Sequence, residues 1–358
     1  MRAGEMRFAH GASLAYQGPE NREIYEMMKT RRCLFALAGL AMLIGAGAPA
    51  FAAEKVTFLI DWLPAGDKAV PYLGVQKGLF AAEGLDVTIQ SGRGSSDVVT
   101  KLGTGAGDIG TGGLAALLQA RAQSAVAVKA LMSIYTLQPD AIFTTEDSGI
   151  STLKDVAGKK IATATFSSSN VSWPLVLKAN GIDPAKVDLL KADPGALAPM
   201  LAAGKVAGTI NWVTVAPAFV KTLSETGKKL KVIAWSDYGF DGYGLSVFAS
   251  EKMLRERPET VRKFMRAYVK ATAMAIADPA AAAAAVKAMV PEIDVDVARA
   301  QFAASIPLMV NDISKKDGTG AFEKALLAKT WKWTAEAQNM PLDKLDPETV
   351  VDRSFLPK

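Results

Sequence analysis

The chain has 358 residues, half of them hydrophobic, with 41 basic and 36 acidic side chains, one cysteine and one histidine. Cys33 and His10 both precede residue 53, so residues 53–358 hold no disulfide, thiol nucleophile, imidazole base or Cys/His metal ligand. Ser-His-Asp hydrolases, papain-like enzymes, zinc hydrolases and the usual non-haem iron sites are excluded there, and the mild positive charge lacks the dense basic blocks of nucleic-acid binding.

The first element in chain order reads as an export signal: Met28-Lys29-Thr30-Arg31-Arg32, an apolar run over 33–46, then Ala50-Phe51-Ala52, with cleavage expected after Ala52. That run is shorter than the roughly 20 residues of a membrane span. Residues 1–27 read as an upstream extension, and the arginine pair leaves general and twin-arginine export both open. Removing 1–52 takes six basic and four acidic residues and lowers the formal charge from +5 to +3.

What remains exceeds one comfortable core, so two lobes are expected. Strands over 56–61, 85–90, 108–111 and 126–134 alternate with helices over 69–80, 95–103 and 114–122. The alternation resumes with strands over 159–163, 187–191, 208–212 and 231–235 and helices over 170–180, 196–203 and 216–226. Short apolar runs bounded by Gly, Pro or Asp suit buried parallel strands, which makes the fold α/β. From Glu251 onward only helices are predicted, over 257–277, 279–289, 295–309 and 320–339. Asp278-Pro279 marks a start, because Asp accepts free N–H groups and Pro fits the first turn. If the extended stretches 141–145 and 245–250 cross between lobes, 53–143 and 246–358 form a first lobe and 144–245 an inserted second lobe.

Several blocks carry a resemblance: Asp61-Trp62-Leu63-Pro64, Tyr72-Leu73-Gly74-Val75-Gln76-Lys77-Gly78-Leu79-Phe80, Glu83-Gly84-Leu85-Asp86-Val87, Gly107-Asp108-Ile109-Gly110, Leu153-Lys154-Asp155-Val156-Ala157-Gly158-Lys159 and Leu201-Ala202-Ala203-Gly204. Together they resemble the nitrate/sulfonate/taurine and thiamine-pyrimidine-precursor group of periplasmic binding proteins, over roughly 55–250. The resemblance implies a two-lobed, type II periplasmic-binding-protein fold with two crossing hinge strands and a helical C-terminal segment. It also implies a periplasmic, monomeric protein with a small-molecule ligand between its lobes, and the permease and ATPase of an ABC importer as partners. No cofactor, metal or nucleic acid is expected. Pyrimidine-precursor members commonly carry Asn and His shortly after the Asp-Trp-x-Pro, where this chain has Ala65-Gly66-Asp67-Lys68-Ala69.

Candidate ligand residues stand at strand ends, the edge at which open α/β sheets bind. Asp61 and Trp62 end the first strand, as an acceptor and an apolar wall, or as a cap and core packing. Thr165, Phe166, Ser167, Ser168 and Ser169 precede a helix, where free N–H groups and hydroxyls bind an anion or simply cap the helix. Asn211 and Trp212 end another strand, Tyr243 sits in a Gly-rich return to the hinge, and Gly112 in a Thr-Gly-Gly turn offers backbone N–H groups. Gly105-x-Gly107-x-x-Gly110 matches a dinucleotide fingerprint by letter, but it leads into a strand instead of following one. The expected function is capture of a small anionic or heteroaromatic solute, sulfonate or carboxylate first, without catalysis. The rivals are pyrimidine-precursor binding, an enzyme on the same fold, and a sensory module.

Overall fold

The structure, a computed structural model, describes residues 53–357, and the expected export signal lies outside the described residues. Two five-stranded sheets are built to one plan. The first contains β1 (Glu54–Ile60), β2 (Leu85–Ser91), β3 (Ile109–Gly113), β4 (Val128–Ser133) and β10 (Leu245–Ser250), in the order β2-β1-β3-β10-β4. The second contains β5 (Asp140–Thr145), β6 (Lys160–Ala164), β7 (Asp188–Ala192), β8 (Gly208–Trp212) and β9 (Leu230–Ala234), in the order β7-β6-β8-β5-β9. In each, three parallel strands are followed by one antiparallel strand wedged between the third and fifth positions.

The wedged strand is what ties the lobes together. The chain leaves the first sheet through 134–139 and enters the second on β5, then returns through 235–244 onto β10. β5 and β10 each lie wholly within one sheet, so the passages are the loops before them, not the strands. The helices of the first lobe include α1 (Ala69–Gln76), α2 (Leu79–Ala82), α3 (Ser95–Thr104) and α4 (Leu114–Ser124), and those of the second α5 (Ser169–Ala179), α6 (Leu197–Ala202) and α7 (Ala216–Ser224).

The single helix predicted over 69–80 is broken because Gly78 takes φ 65, a left-handed conformation that costs glycine no Cβ clash. Gly112 is not in a turn: it pairs with Ser246 inside β3, and a Cβ there would meet the Phe248 ring at 2.7 Å.

The tail is helical: α8 (Glu251–Glu256), α9 (Pro258–Ala277), α10 (Pro279–Met289), α11 (Val295–Met309), α12 (Asp312–Asp317) and α13 (Lys324–Ala337). Asp278 caps α10, its carboxylate accepting the Ala281 N–H at 2.9 Å. Arg257 separates α8 from α9 because the residue before a proline is pushed out of the helical region. α9 lays Phe264 and Tyr268 against Phe58 and Phe80 in one aromatic cluster. α13 belongs to both lobes: Leu327 and Trp331 pack in the first, Ala337 and Trp333 against the second. No single helix among the described residues is long and apolar enough to cross a membrane.

Candidate functional site

The C-terminal ends of β1, β3 and β8 face one another across the lobes, and β5 enters beside them. They enclose a cavity of about 330 Å³, counting space open to solvent, lined by Asp61, Trp62, Asp67, Lys68, Ser95, Ser167, Asn211, Trp212 and Val215.

A buried charge cluster forms its floor. Lys68 Nζ lies 2.9 Å from Asp61 Oδ1 and 3.5 Å from Asp67 Oδ2, with all three side chains at most 3% exposed. Lys68 also stands 4.7 Å over the Trp212 ring. Burial pulls the lysine pKa down, but the attraction of Asp61 and then Asp67 outweighs it and holds the ammonium above the ordinary lysine value. Ser95 Oγ donates to Asp61 Oδ2 at 3.0 Å and accepts the Gly113 N–H at 2.9 Å. From the second lobe, Thr214 Oγ1 donates to Asp67 Oδ2 at 2.8 Å. The cluster carries two formal negative charges and one positive, and Asp67 Oδ1 and Asn211 Oδ1 are buried acceptors without a partner among the described residues.

The lobes stand closed. Ser96 N–H donates to the Phe166 carbonyl at 3.0 Å, and Arg93 lies 4.8 Å over the Phe166 ring. Lys221 meets Asp294 at 2.6 Å on the rim, and at the back Gln338 Nε2 donates to the Val171 carbonyl at 2.7 Å. Gly94 makes the closest approach possible, since at φ 143 it brings its backbone against that of Phe166.

Of the residues singled out from sequence, Asp61, Trp62, Ser167, Asn211 and Trp212 converge on the cavity. The others do not line it. Thr165 is exposed and turned to the Ala192 carbonyl, Phe166 and Ser168 meet the first lobe at Arg93 and Gly113, and Gly112 lies within β3. Tyr243 is 1% exposed in the core, where its backbone N–H donates to Thr330 Oγ1 and its hydroxyl accepts the Glu323 N–H at 2.6 Å. The anion-holding geometry expected at the start of α5 is largely spent internally. Ser167 Oγ accepts the Ser169 N–H, the Asn170 N–H reaches the Ser167 carbonyl, and the Val171 N–H reaches the Ser168 carbonyl.

Sequence reasoning passed over Asp67, Lys68, Ser95 and Asp140. The signal for the first two was on the page: Asp67-Lys68 stands where the pyrimidine-precursor relatives carry other polar residues, directly after the Asp-Trp-x-Pro. Asp140, 3% exposed, accepts hydrogen bonds from Gln138 Nε2 at 2.6 Å and from Ser169 Oγ, and pairs with Trp212 across β5 and β8.

A family model described as NMT1/THI5 like matches residues 67–282. The riboflavin-binding protein RibY of Chloroflexus aurantiacus is 26% identical over 313 residues, covering 85% of this chain and 86% of that protein. The 4-amino-5-hydroxymethyl-2-methylpyrimidine phosphate synthase THI13 of Saccharomyces cerevisiae is 25% identical, over 84% of this chain and 91% of the other. Among solved structures, the alkanesulfonate-binding protein SsuA of Xanthomonas axonopodis pv. citri, bound to MOPS, matches with a TM-score of 0.66 at 17% identity, over 86% of this chain and all of that one. This last likeness shows the fold: two lobes of the periplasmic-binding-protein type.

Proposed function

The chain belongs to the NMT1/THI5-like family, and on that footing we propose that it is an extracytoplasmic solute-binding protein that closes over a small heteroaromatic solute. It then presents that solute to the permease and ATPase of an ABC importer, working as an exported monomer in the periplasm. The observation that carries this reading is the cavity between the closed lobes, walled by Trp62 and Trp212 and floored by a charge cluster whose uncommitted atoms are acceptors. Tryptophan faces bind flat rings, and unpartnered buried acceptors favour a ligand with N–H or O–H donors. An excess of one buried negative charge penalises a sulfonate or carboxylate at the same place. Within the anionic-or-heteroaromatic class, the pocket therefore moves the preference to the heteroaromatic side, where the flavin and pyrimidine named for the relatives belong.

Catalysis is not part of the reading, although relatives include synthases. Residues 53–358 contain no histidine or cysteine. The one amine in the cavity, Lys68, is held in its ammonium form, whereas covalent lysine chemistry needs the free amine.

A thermal-shift panel of riboflavin, 4-amino-5-hydroxymethyl-2-methylpyrimidine, taurine, MOPS and nitrate tests the proposal, because a ligand bound by the folded state alone raises Tm by mass action. Stabilisation by a ring-bearing donor, lost in Trp62→Ala, is expected. Stabilisation by the sulfonates alone would overturn the assigned ligand class.

A further inference from the structure

Two hydrogen bonds run from the cavity wall into the second lobe, and together they form a chain with a direction. Ser167, which lines the cavity, donates its hydroxyl proton to Ser169 Oγ at 2.9 Å, and Ser169 donates in turn to Asp140 Oδ1. Ser167 Oγ also accepts the Ser169 backbone N–H at 3.2 Å. A serine hydroxyl has one proton and two lone pairs. With the proton committed inward and one lone pair taken by that amide, Ser167 has only a lone pair left for the cavity. Trp212 is the register partner of Asp140 across β8 and β5, so the same buried carboxylate stands beside a second residue of the cavity wall.

We propose that Asp140 is a positioning residue that decides whether Ser167 offers the cavity a lone pair or a proton. The ionised carboxylate can only accept, which fixes the chain as described. One proton taken from solvent onto Oδ1 turns that oxygen into a donor toward Ser169 Oγ. The Ser169 hydroxyl then rotates to donate to Ser167 Oγ, and the Ser167 hydroxyl proton is released toward the cavity. No bond is made or broken except the new O–H on Asp140. The cavity thus suits donor-bearing ligands while Asp140 is charged and gains a donor for a carbonyl or anionic oxygen once it is neutral.

The surroundings make that switch accessible. Burial pushes the Asp140 pKa up to about 6, and the hydrogen bonds from Ser169, Trp212 and Gln138 offset only part of the rise. The groups around the carboxyl are Gln138 from the passage before β5 and Ser169 from α5, which donate to it, and Trp212, its register partner on β8, and none of them titrates in this range. The charged groups of the cavity, Lys68, Asp61 and Asp67, belong to the first lobe, and Lys68 stands over the Trp212 ring, whose residue is the register partner of Asp140.

The relevance of Ser167 to a ligand rests on the binding function proposed above, but the chain itself is tested on the ligand-free protein. In ¹H–¹⁵N spectra recorded from pH 4.5 to 7.5, with the indole peak assigned through Trp212→Phe, two signals are expected to move together. These are the Trp212 indole N–H and the residue-169 amide, with one midpoint near pH 6. In Asp140→Asn both are expected to be flat. In Ser169→Ala the indole still titrates and the residue-169 amide loses its response, so the outcome does not depend on one variant folding. A flat Trp212 indole in the native protein overturns the titration of Asp140. A moving indole beside a flat residue-169 amide overturns the reversal of the chain.

Discussion

Replacing Lys68 with methionine keeps the length of the side chain and removes its charge from between Asp61 and Asp67. The ammonium is 2.9 Å from one carboxylate, 3.5 Å from the other and 4.7 Å over the Trp212 ring, and the three charged side chains are at most 3% exposed. Removing one partner of a buried ion pair costs about 3–5 kcal/mol, because the remaining charge stays buried without compensation. At roughly 2.1 cal/mol/K of unfolding entropy per residue, that corresponds to a fall in Tm of about 5–8 °C for a body of this size. Urea denaturation at pH 7.5 measures the loss. A variant within about 0.5 kcal/mol of the native protein would refute the reasoning, since that is the range of ordinary surface substitutions.

Asp140 makes the stability of the protein depend on pH. Its pKa of about 6 against an ordinary 3.8 means that the folded state binds more protons between those values, so its contribution is present below the unfolded value and lost as pH rises through 6. At 1.36 kcal/mol per unit, native stability relative to Asp140→Asn should fall by about 3 kcal/mol between pH 3.5 and 7, read by denaturant titration. Gly94→Ala places a Cβ against the Phe166 backbone, at a φ of 143 that alanine does not adopt readily. It should hinder closure and weaken ligand binding at least about tenfold, or about 1.4 kcal/mol, by calorimetry. Trp62 is only half-buried, so Trp62→Ala should leave Tm nearly unchanged while losing about tenfold in affinity for a ring-bearing ligand.

The parts of the molecule decided by local chemistry were legible before the structure. β8, α10 and α11 have the bounds expected from sequence, the two helices because Asp278 and Asp294 stand where a carboxylate caps the free amides. Asp61, Trp62, Asn211 and Trp212 were singled out because ligands gather at the ends of parallel strands, and all four line one cavity. The misses share a long-range cause. Tyr243 looked like a cavity residue until Glu323 and Thr330, some 80 positions later, took its polar groups into the core. Gly112 looked like a turn because nothing nearby reveals that β10 pairs with β3. Lys68 received no role from sequence, because only the folded placement of Asp61 and the second-lobe Trp212 makes it a buried cation. Asp140 sits at the start of a strand, and its importance depends on Ser169 and Trp212 arriving from other elements.

The central claim is capture of a donor-bearing ring without chemistry, and equilibrium dialysis followed by mass spectrometry tests it most directly. The protein is dialysed against riboflavin and 4-amino-5-hydroxymethyl-2-methylpyrimidine together with taurine and MOPS, then denatured, and the bound and free pools are weighed. Retention of a ring compound at its original mass, with no new species in either pool, is expected. A product of altered mass, or retention of the sulfonates in place of the rings, would contradict the account.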